Sequence, residues 1–135
     1  MNTGVSFDYS GAAVLITGGS NGIGLGIATA YRNAGADVVI TGRKASVDDY
    51  DHDLGDFTYR QLDVDSQESL VQLAGDIDKL DILVNNAGGV QEDEWGHGGF
   101  DQSLNVNLAS VFHLSSACKP LLEASNFAGG ASVVG

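Results

Sequence analysis

Five glycines lie close together within the stretch VLITGGSNGIGLGIATAYRNAGADVVITGR, between two apolar segments. Glycine weakens regular structure by roughly 0.5–1 kcal/mol relative to alanine, so such a cluster marks a tight turn or a backbone that a ligand approaches closely. An apolar run ends at Thr17 and a helical pattern begins near Gly22, so the glycines join a predicted strand to a predicted helix. This arrangement exposes backbone N–H groups at a helix N-terminus, which is where a phosphate or pyrophosphate binds.

Short apolar runs alternate with helical stretches along the rest of the chain. The runs are rich in Val, Ile and Leu without alternating polarity, which is typical of strands buried on both faces. Strands are predicted at residues 12–17, 37–41, 57–62, 80–85 and 131–135. Helices are predicted near residues 24–33, after an Asp65 cap paired with Glu68, and from Asp101 to Ser125 with Pro120 as a kink or break. This alternation predicts an α/β fold with a doubly wound parallel sheet.

Composition narrows the range of partners. The 135 residues fit one domain, and their net charge of −12 repels phosphate backbones, so nucleic acid is not an expected partner. Cys118 is the only cysteine, which favours a reducing compartment and excludes an internal disulfide. The N-terminal residues do not resemble a signal peptide, and no apolar run approaches the ~18 residues of a membrane helix. We therefore expect a cytoplasmic protein with no membrane association.

Other catalytic interpretations are weaker. A P-loop needs Lys and then Ser or Thr after its last glycine, where this chain has Leu25 and Gly26. The three histidines, His52, His97 and His113, are dispersed, so no metal site is predicted. Cys118 lies in an apolar helical stretch and is expected to be a small core residue rather than a nucleophile.

Four motifs in order carry a resemblance to a known family. They are TGGSNGIG at residues 17–24, LDV at 62–64, NNAG at 85–88 and LNVNLASVF at 104–112. In these motifs the chain resembles the classical short-chain dehydrogenase/reductase family over nearly its whole length. The resemblance implies a Rossmann-type sheet and a single NAD(P)-binding domain over residues 1–135.

The same resemblance implies the cofactor-binding residues. The diphosphate and the adenosine ribose would be lined by residues of the glycine loop, namely Gly18, Ser20, Asn21, Gly22, Ile23 and Gly24. Asp63 and Val64 would hold the adenine, while Asn86, Ala87 and Gly88 would pass beside the ribose and the nicotinamide side. All of these residues follow the carboxyl ends of predicted strands, where open α/β sheets bind ligands.

The end of the second strand bears on the choice of cofactor. An acidic residue there would bind the adenosine 2′-hydroxyl and repel a 2′-phosphate, but this chain has Gly42 followed by Arg43. Arginine offers a bidentate grip to a phosphate, so NADP(H) is favoured. Asn21 stands where many NADP-preferring members of the family carry a second basic residue, which keeps NAD(H) as the alternative.

The catalytic residues of the family are matched only in part. Asn107 matches the asparagine of the family's proton relay, but none of the four tyrosines is followed by lysine at the fourth position. We therefore expect a chain truncated before the Ser/Tyr/Lys active-site half, with Asn107 as its catalytic residue and with little catalysis of its own. In the family the helix that matches Asp101 to Ser125 belongs to the dimer interface, so the resemblance implies a homo-oligomer.

The functional prediction follows from these motifs. The chain is predicted to be the NAD(P)(H)-binding portion of an oxidoreductase that interconverts a small-molecule alcohol and a carbonyl by hydride transfer. The alternatives are a non-catalytic nucleotide-binding module and a decayed gene remnant without turnover.

Overall fold

The structure is a computed structural model that describes residues 8–20, 22–51, 53–64, 66–86 and 99–134, without the side chains of residues 99–107. Its five strands and three α-helices are, in chain order, β1 (Ala13–Thr17), α1 (Gly22–Asn33), β2 (Asp37–Gly42), β3 (Thr58–Gln61), α2 (Gln67–Gly75), β4 (Ile82–Asn85), α3 (Gly99–Glu123) and β5 (Ser132–Val134). The predicted strands and helices are therefore present, with bounds that differ by one or two residues at most ends.

The five strands form one sheet in the order β3-β2-β1-β4-β5, and every neighbouring pair is parallel. The chain moves outward from β1 to β3, then returns to the other side of β1 to form β4. The direction therefore reverses between β1 and β4, and in an open α/β sheet this switch point is where a ligand crevice forms. The predicted doubly wound parallel sheet is confirmed.

Helix α1 packs on one face of the sheet, and α2 and α3 pack on the other. Val14 and Ile16 of β1 pack with Ala28 of α1 in one core cluster. Leu15, which points to the opposite face, packs with Leu70 of α2 and other residues of α2 and α3 in a second cluster. Successive strand side chains alternate between faces, so β1 has to be apolar throughout.

Not every strand is buried on both faces. The residues of β3 are exposed or half-buried, and those of β5 are exposed. These two strands lie at the edges of the sheet, which leaves them with fewer neighbours than β1 and β4. The prediction of two-sided burial was therefore wrong for the outer strands.

The first turn of α2 differs from its prediction. Ser66 is the N-cap, and its hydroxyl oxygen accepts a hydrogen bond of 3.2 Å from the backbone N–H of Ser69. The predicted cap, Asp65, lies outside the described residues. Serine and aspartate both cap helices well, so the sequence pattern did not separate the two neighbouring positions.

Helix α3 runs through Pro120, which the sequence predicted as a kink or break. The backbone N–H of Ala124 donates to the carbonyl oxygen of Pro120 at 3.1 Å, so the proline does not end the helix. Leu114 and Cys118 lie on its buried face, whereas Leu108 and Phe112 are 63% and 67% exposed. Part of the apolar stripe expected on this helix therefore faces away from the core.

The acidic segment between β2 and β3 was predicted as an exposed loop, and most of its described residues are exposed or half-buried. It contains one turn of 3₁₀ helix, Val47–Asp49, with Ser46 as its N-cap. Leu54 is an exception, since it is buried in the core formed with α1. The turn brings Tyr50 back beside the end of β2.

Candidate functional site

The glycine loop after β1 is anchored to the end of β2. The backbone N–H of Gly18 donates to Oγ1 of Thr41 at 3.1 Å, and that of Gly19 donates to the carbonyl oxygen of Thr41 at the same distance. Gly18 has a φ of 68°, a left-handed conformation that side-chain-bearing residues rarely adopt. The loop therefore has one defined path from β1 to α1.

Helix α1 lies very close to this loop. A β-carbon added to Gly24 would overlap the carbonyl oxygen of Gly18 and lie 2.5 Å from Nδ2 of Asn86. Gly24 is buried, so no side chain larger than hydrogen fits there without moving backbone. The glycine at this position brings the helix N-terminus against the loop.

Asn86 joins β4 to the same loop. Its backbone N–H donates to Oγ1 of Thr17 at 3.1 Å, and its side-chain Nδ2 donates to the carbonyl oxygen of Gly18 at 3.3 Å. The carboxyl ends of β1 and β4 are thereby held together at the switch point of the sheet. The glycine loop, the start of α1 and Asn86 form the walls of one crevice, which we call the switch-point crevice.

The electrostatics of the switch-point crevice favour an anion. The first turn of α1 contains no acidic residue, so the positive end of its helix dipole is not neutralised from within. Ile23, in that first turn, is 79% exposed, which is unusual for so large an apolar side chain. The crevice thus presents N–H groups beside an uncovered apolar surface.

A pocket of about 470 Å³ lies at the carboxyl ends of β2 and β3. It is lined by Arg43, Gln61, Leu62, Asp63, Val64 and Ser69. The carbonyl oxygen of Arg43 accepts a hydrogen bond of 2.8 Å from Nε2 of Gln61, which ties the two strand ends together. Three of the residues predicted to bind a cofactor therefore surround one space.

All but one of the basic side chains are bound to other groups in the described part of the chain. Of the six, five engage other described groups: Arg32 with Asp56, Arg60 with Asp76, Lys79 with Asp81, Lys119 with Glu123, and Lys44 with the carbonyl oxygen of Asp49. The sixth, Arg43, is exposed at the pocket, and its guanidinium pairs with no other residue in the described part of the chain. In a chain with a net charge of −12, this cation is well placed to meet an anionic ligand.

The residues predicted from the sequence are distributed as follows. Gly18, Ser20, Gly22, Ile23, Gly24 and Asn86 surround the switch-point crevice, and Arg43, Asp63 and Val64 line the pocket. Asn21, Ala87 and Gly88 lie outside the described residues. Asn107 is part of α3, but its side chain is not among those described.

Four residues that shape the site were missed by the sequence analysis. Thr17 and Thr41 provide the hydroxyl groups that anchor Asn86 and Gly18, and Tyr50 and Tyr59 lie beside the end of β2. Threonine at a strand end has no distinctive sequence pattern. The two tyrosines meet only because the acidic segment folds back on the sheet.

Two further groups lie away from the site. Cys118 is fully buried, as predicted for a core residue, and burial raises the pKa of its thiol to about 11. Asp81 is also fully buried, at the opposite end of β4 from Asn86. Among the described helices, none is both long enough and apolar enough to cross a membrane.

The arrangement described above defines a Rossmann-type α/β protein with a glycine-lined crevice at its switch point. The sequence model of the short chain dehydrogenase family matches residues 12–134, so the chain belongs to the short-chain dehydrogenase/reductase family. The resemblance seen in the four motifs is thereby confirmed.

Similar known proteins support this family membership. The chain is 34% identical over 125 residues to 2-dehydro-3-deoxy-D-gluconate 5-dehydrogenase of Bacillus subtilis, covering 82% of this chain and 47% of that protein. It is 36% identical over 134 residues to the rhamnolipids biosynthesis 3-oxoacyl-acyl-carrier-protein reductase of Pseudomonas aeruginosa, covering 88% and 51%.

A solved structure of a Pseudomonas aeruginosa RhlG/NADP active-site complex superimposes with a TM-score of 0.78 at 33% identity, covering 94% of this chain and 54% of that one. The chain thus spans about half the length of these relatives.

Proposed function

We propose that this chain binds a nicotinamide dinucleotide, with NADP(H) preferred and NAD(H) as the alternative, and serves as the cofactor-binding portion of an alcohol/carbonyl oxidoreductase. The observation that carries the proposal is the close packing of Gly24 on Gly18 at the switch point, with Asn86 holding the loop from β4. This packing leaves the N-terminus of α1 open to a diphosphate. The named relatives, which are dehydrogenases and reductases, support the same class of reaction.

The residues of the chain fit each part of such a cofactor. The N–H groups at the start of α1 would bind the diphosphate, and the pocket lined by Asp63 and Val64 would hold the adenine. Ala87 and Gly88 are proposed to follow Asn86 along the ribose and nicotinamide. Asn21 is proposed to join the glycine loop at the adenosine ribose.

The preference for NADP(H) rests on Arg43. Its guanidinium is the one basic group without a partner among the described residues, and it follows directly after a glycine instead of a carboxylate. A planar guanidinium can bind a 2′-phosphate through two parallel hydrogen bonds. The similarity to the RhlG/NADP active-site complex supports this choice.

A bound cofactor of this kind supplies a hydride to a carbonyl or accepts one from an alcohol. The contribution of this chain is to bind and orient it, and to keep the loop and the strand ends rigid around it. We propose that Asn107 of α3 is the catalytic residue that this chain provides, by holding a group that relays a proton. We also propose that α3 contributes to a homo-oligomer.

The proposal is tested by isothermal titration calorimetry of the purified protein with NADPH and NADH. NADPH is expected to bind more tightly, and Arg43→Gln is expected to weaken NADPH binding by about tenfold while changing NADH binding less than about twofold. Arg60→Gln is the matched control, because Arg60 is paired with Asp76. If the folded protein binds neither dinucleotide, the proposal is wrong; if NADH binds more tightly, the alternative cofactor is correct.

Turnover is a separate question. The purified protein is assayed with NADPH against a panel of aldehydes and ketones, following the absorbance of the reduced nicotinamide. Oxidation of NADPH that depends on the carbonyl supports the oxidoreductase. Because little catalysis is expected of this chain by itself, tight binding without turnover agrees both with the proposed cofactor-binding portion and with a non-catalytic nucleotide-binding module. Only carbonyl-dependent oxidation separates the two. A protein without a cooperative thermal transition would instead be a decayed remnant.

A further inference from the structure

A cluster of hydroxyl groups lies at the carboxyl end of β2. Oη of Tyr50 and Oη of Tyr59 are 3.0 Å apart, and Tyr50 is also hydrogen-bonded to Ser20 of the glycine loop. The backbone N–H of Lys44 donates to Oη of Tyr50 at 3.2 Å, and Oη of Tyr59 donates to the carbonyl oxygen of Lys44. One group of side chains therefore joins the glycine loop, the end of β2 and β3.

This cluster fills the space in which a side chain at position 42 would lie. A β-carbon added to Gly42 would overlap Oη of Tyr50 and would lie 2.9 Å from both Oγ of Ser20 and Oη of Tyr59. A carboxylate at position 42 would need still more room. A side chain at position 42 would therefore require these hydroxyl groups to move.

The cluster also fixes the backbone on both sides of Arg43. On one side, Gly42 belongs to β2, and its carbonyl oxygen accepts from the N–H of Leu62 at 2.9 Å. On the other side, both backbone polar groups of Lys44 are bound by the tyrosines. Arg43 is therefore held at its backbone while its side chain extends to the pocket.

The Lys44 side chain is held by other groups and does not line the pocket. Its Nζ lies 4.9 Å from the centre of the Tyr50 ring and donates to the carbonyl oxygen of Asp49 at 2.9 Å. A cation over an aromatic face is attracted by the ring, so the Tyr50 ring stabilises Lys44 in this position. Arg43 is left as the basic side chain of this turn that meets the ligand.

Protonation of the two hydroxyl groups supports this arrangement. Burial raises the pKa of Tyr59, and its hydrogen bond to Tyr50 raises that pKa further, so the Tyr59 hydroxyl stays a donor to Lys44. Burial alone would raise the pKa of Tyr50 too, but its hydrogen bonds with Ser20, Tyr59 and the backbone of Lys44 outweigh burial and lower the pKa below its usual value. Because the single Tyr59 proton is donated to Lys44, the Tyr50 hydroxyl donates to Oη of Tyr59 and accepts from the backbone N–H of Lys44.

We propose that Tyr50 is a positioning residue that sets the preference for a 2′-phosphate, by holding the backbone that places Arg43 beside the pocket. The inference rests on the proposed function, since it concerns the adenosine end of the same cofactor. Tyr50 does not need to touch the cofactor for this role. Its effect is expected on the discrimination between two cofactors and not on binding as a whole.

The experiment measures dissociation constants for NADPH and NADH by calorimetry in the wild type, in Tyr50→Phe and in Tyr31→Phe. Tyr50→Phe keeps the ring beneath Lys44 but removes the hydroxyl, so NADPH affinity is expected to fall roughly tenfold and NADH affinity less than about twofold. Tyr31→Phe is the matched control, because Tyr31 packs on Tyr9 in a part of the core remote from Gly42. It is expected to preserve both affinities.

The other outcomes of this experiment overturn either the inference alone or the proposed function with it. An unchanged ratio of the two affinities in Tyr50→Phe overturns the inference, whether both affinities stay the same or both fall equally. A merely structural residue would act in that way. If Tyr50→Phe does not fold, Tyr59→Phe removes the second tie to Lys44, and the same ratio decides. If the wild type binds neither dinucleotide, the proposed function fails and the inference fails with it. If the wild type prefers NADH, the alternative cofactor is correct and only the inference fails.

Discussion

Gly24 in the first turn of α1 lies against the carbonyl oxygen of Gly18 with no room for a side chain between them. Gly24→Ala is therefore expected to push α1 away from the glycine loop and to lower the free energy of unfolding by about 2 kcal/mol. The same shift moves the N–H groups that would bind a diphosphate, so NADPH binding is expected to weaken by at least about tenfold. Urea unfolding and calorimetry measure the two effects.

Gly26, two residues further along α1, is the matched control for this change. A β-carbon added there meets nothing within 4 Å, and the residue is exposed. Gly26→Ala is expected to stabilise the protein by up to about 1 kcal/mol through helix propensity alone, with NADPH binding unchanged. If the two variants behave alike, the close packing of Gly24 on Gly18 does not determine stability or binding.

The part of this fold that follows from local pattern was accessible from the sequence. Short apolar runs gave the strands, and the motif GGSNGIG between β1 and α1 indicated the crevice, because glycine is needed where backbones approach. The contributions of Thr41 and Tyr50 were not accessible. Both depend on which residues of β2 and the following segment lie beside the glycine loop, and that depends on strand order rather than on any local signal.

The exposed face of α3 also could not be predicted from local sequence patterns. The spacing of Leu108 and Phe112 indicated a helix, which is correct, but periodicity alone does not say which apolar positions meet the core. The buried positions are Leu114 and Cys118, which pack on α2 and β4. Their burial is set by the direction from which α3 crosses the sheet, and that is a property of the whole fold.

Gly42 and Tyr50 provide a test of coupling within the hydroxyl cluster. Gly42→Ala is expected to cost about 2 kcal/mol of unfolding free energy, because its β-carbon would overlap Oη of Tyr50. Tyr50→Phe removes that oxygen, so the cost of Gly42→Ala in the Tyr50→Phe background is expected to fall by about 1 kcal/mol. Urea unfolding of the four proteins of this cycle measures the coupling. Strictly additive losses would contradict the overlap.

Asp81 predicts an acid-dependent loss of stability. Its carboxylate accepts hydrogen bonds from Ser125 at 2.6 Å and from the backbone N–H of Ala13 at 2.8 Å, and Lys79 lies 3.6 Å away. Burial alone would raise its pKa, but these contacts outweigh burial and hold the pKa below its usual value of 3.8. The ionised form is thus favoured in the folded protein.

Acid is expected to remove the stabilisation that the ionised Asp81 provides. Because the folded pKa is depressed, Asp81 stabilises the protein fully above the unfolded pKa of about 3.9, and this stability is lost as pH falls through the folded pKa. Asp81→Asn is expected to cost about 2–3 kcal/mol at neutral pH, and the difference from wild type is expected to shrink below about pH 4.

Urea unfolding across this pH range measures the effect of Asp81, with Asp37→Asn on the exposed start of β2 as the control. The control is expected to lie within about 0.5 kcal/mol of wild type at neutral pH. If the cost of Asp81→Asn does not depend on pH, the stabilising group is not the ionised carboxylate.

Leu108 and Phe112 lie four residues apart on α3, so their side chains share one face of the helix, and both are more than half exposed. We expect a second copy of this chain to cover this face, because burying apolar surface drives association and the two copies present the same residues to each other. Phe112→Ser is expected to shift the protein toward monomer, measured by sedimentation velocity over a range of concentrations. Val71→Ser, which removes an apolar side chain 51% exposed on α2, is expected to leave the association unchanged. A wild type that is monomeric at every concentration, or an equal effect of both substitutions, would contradict the assignment of this face to self-association.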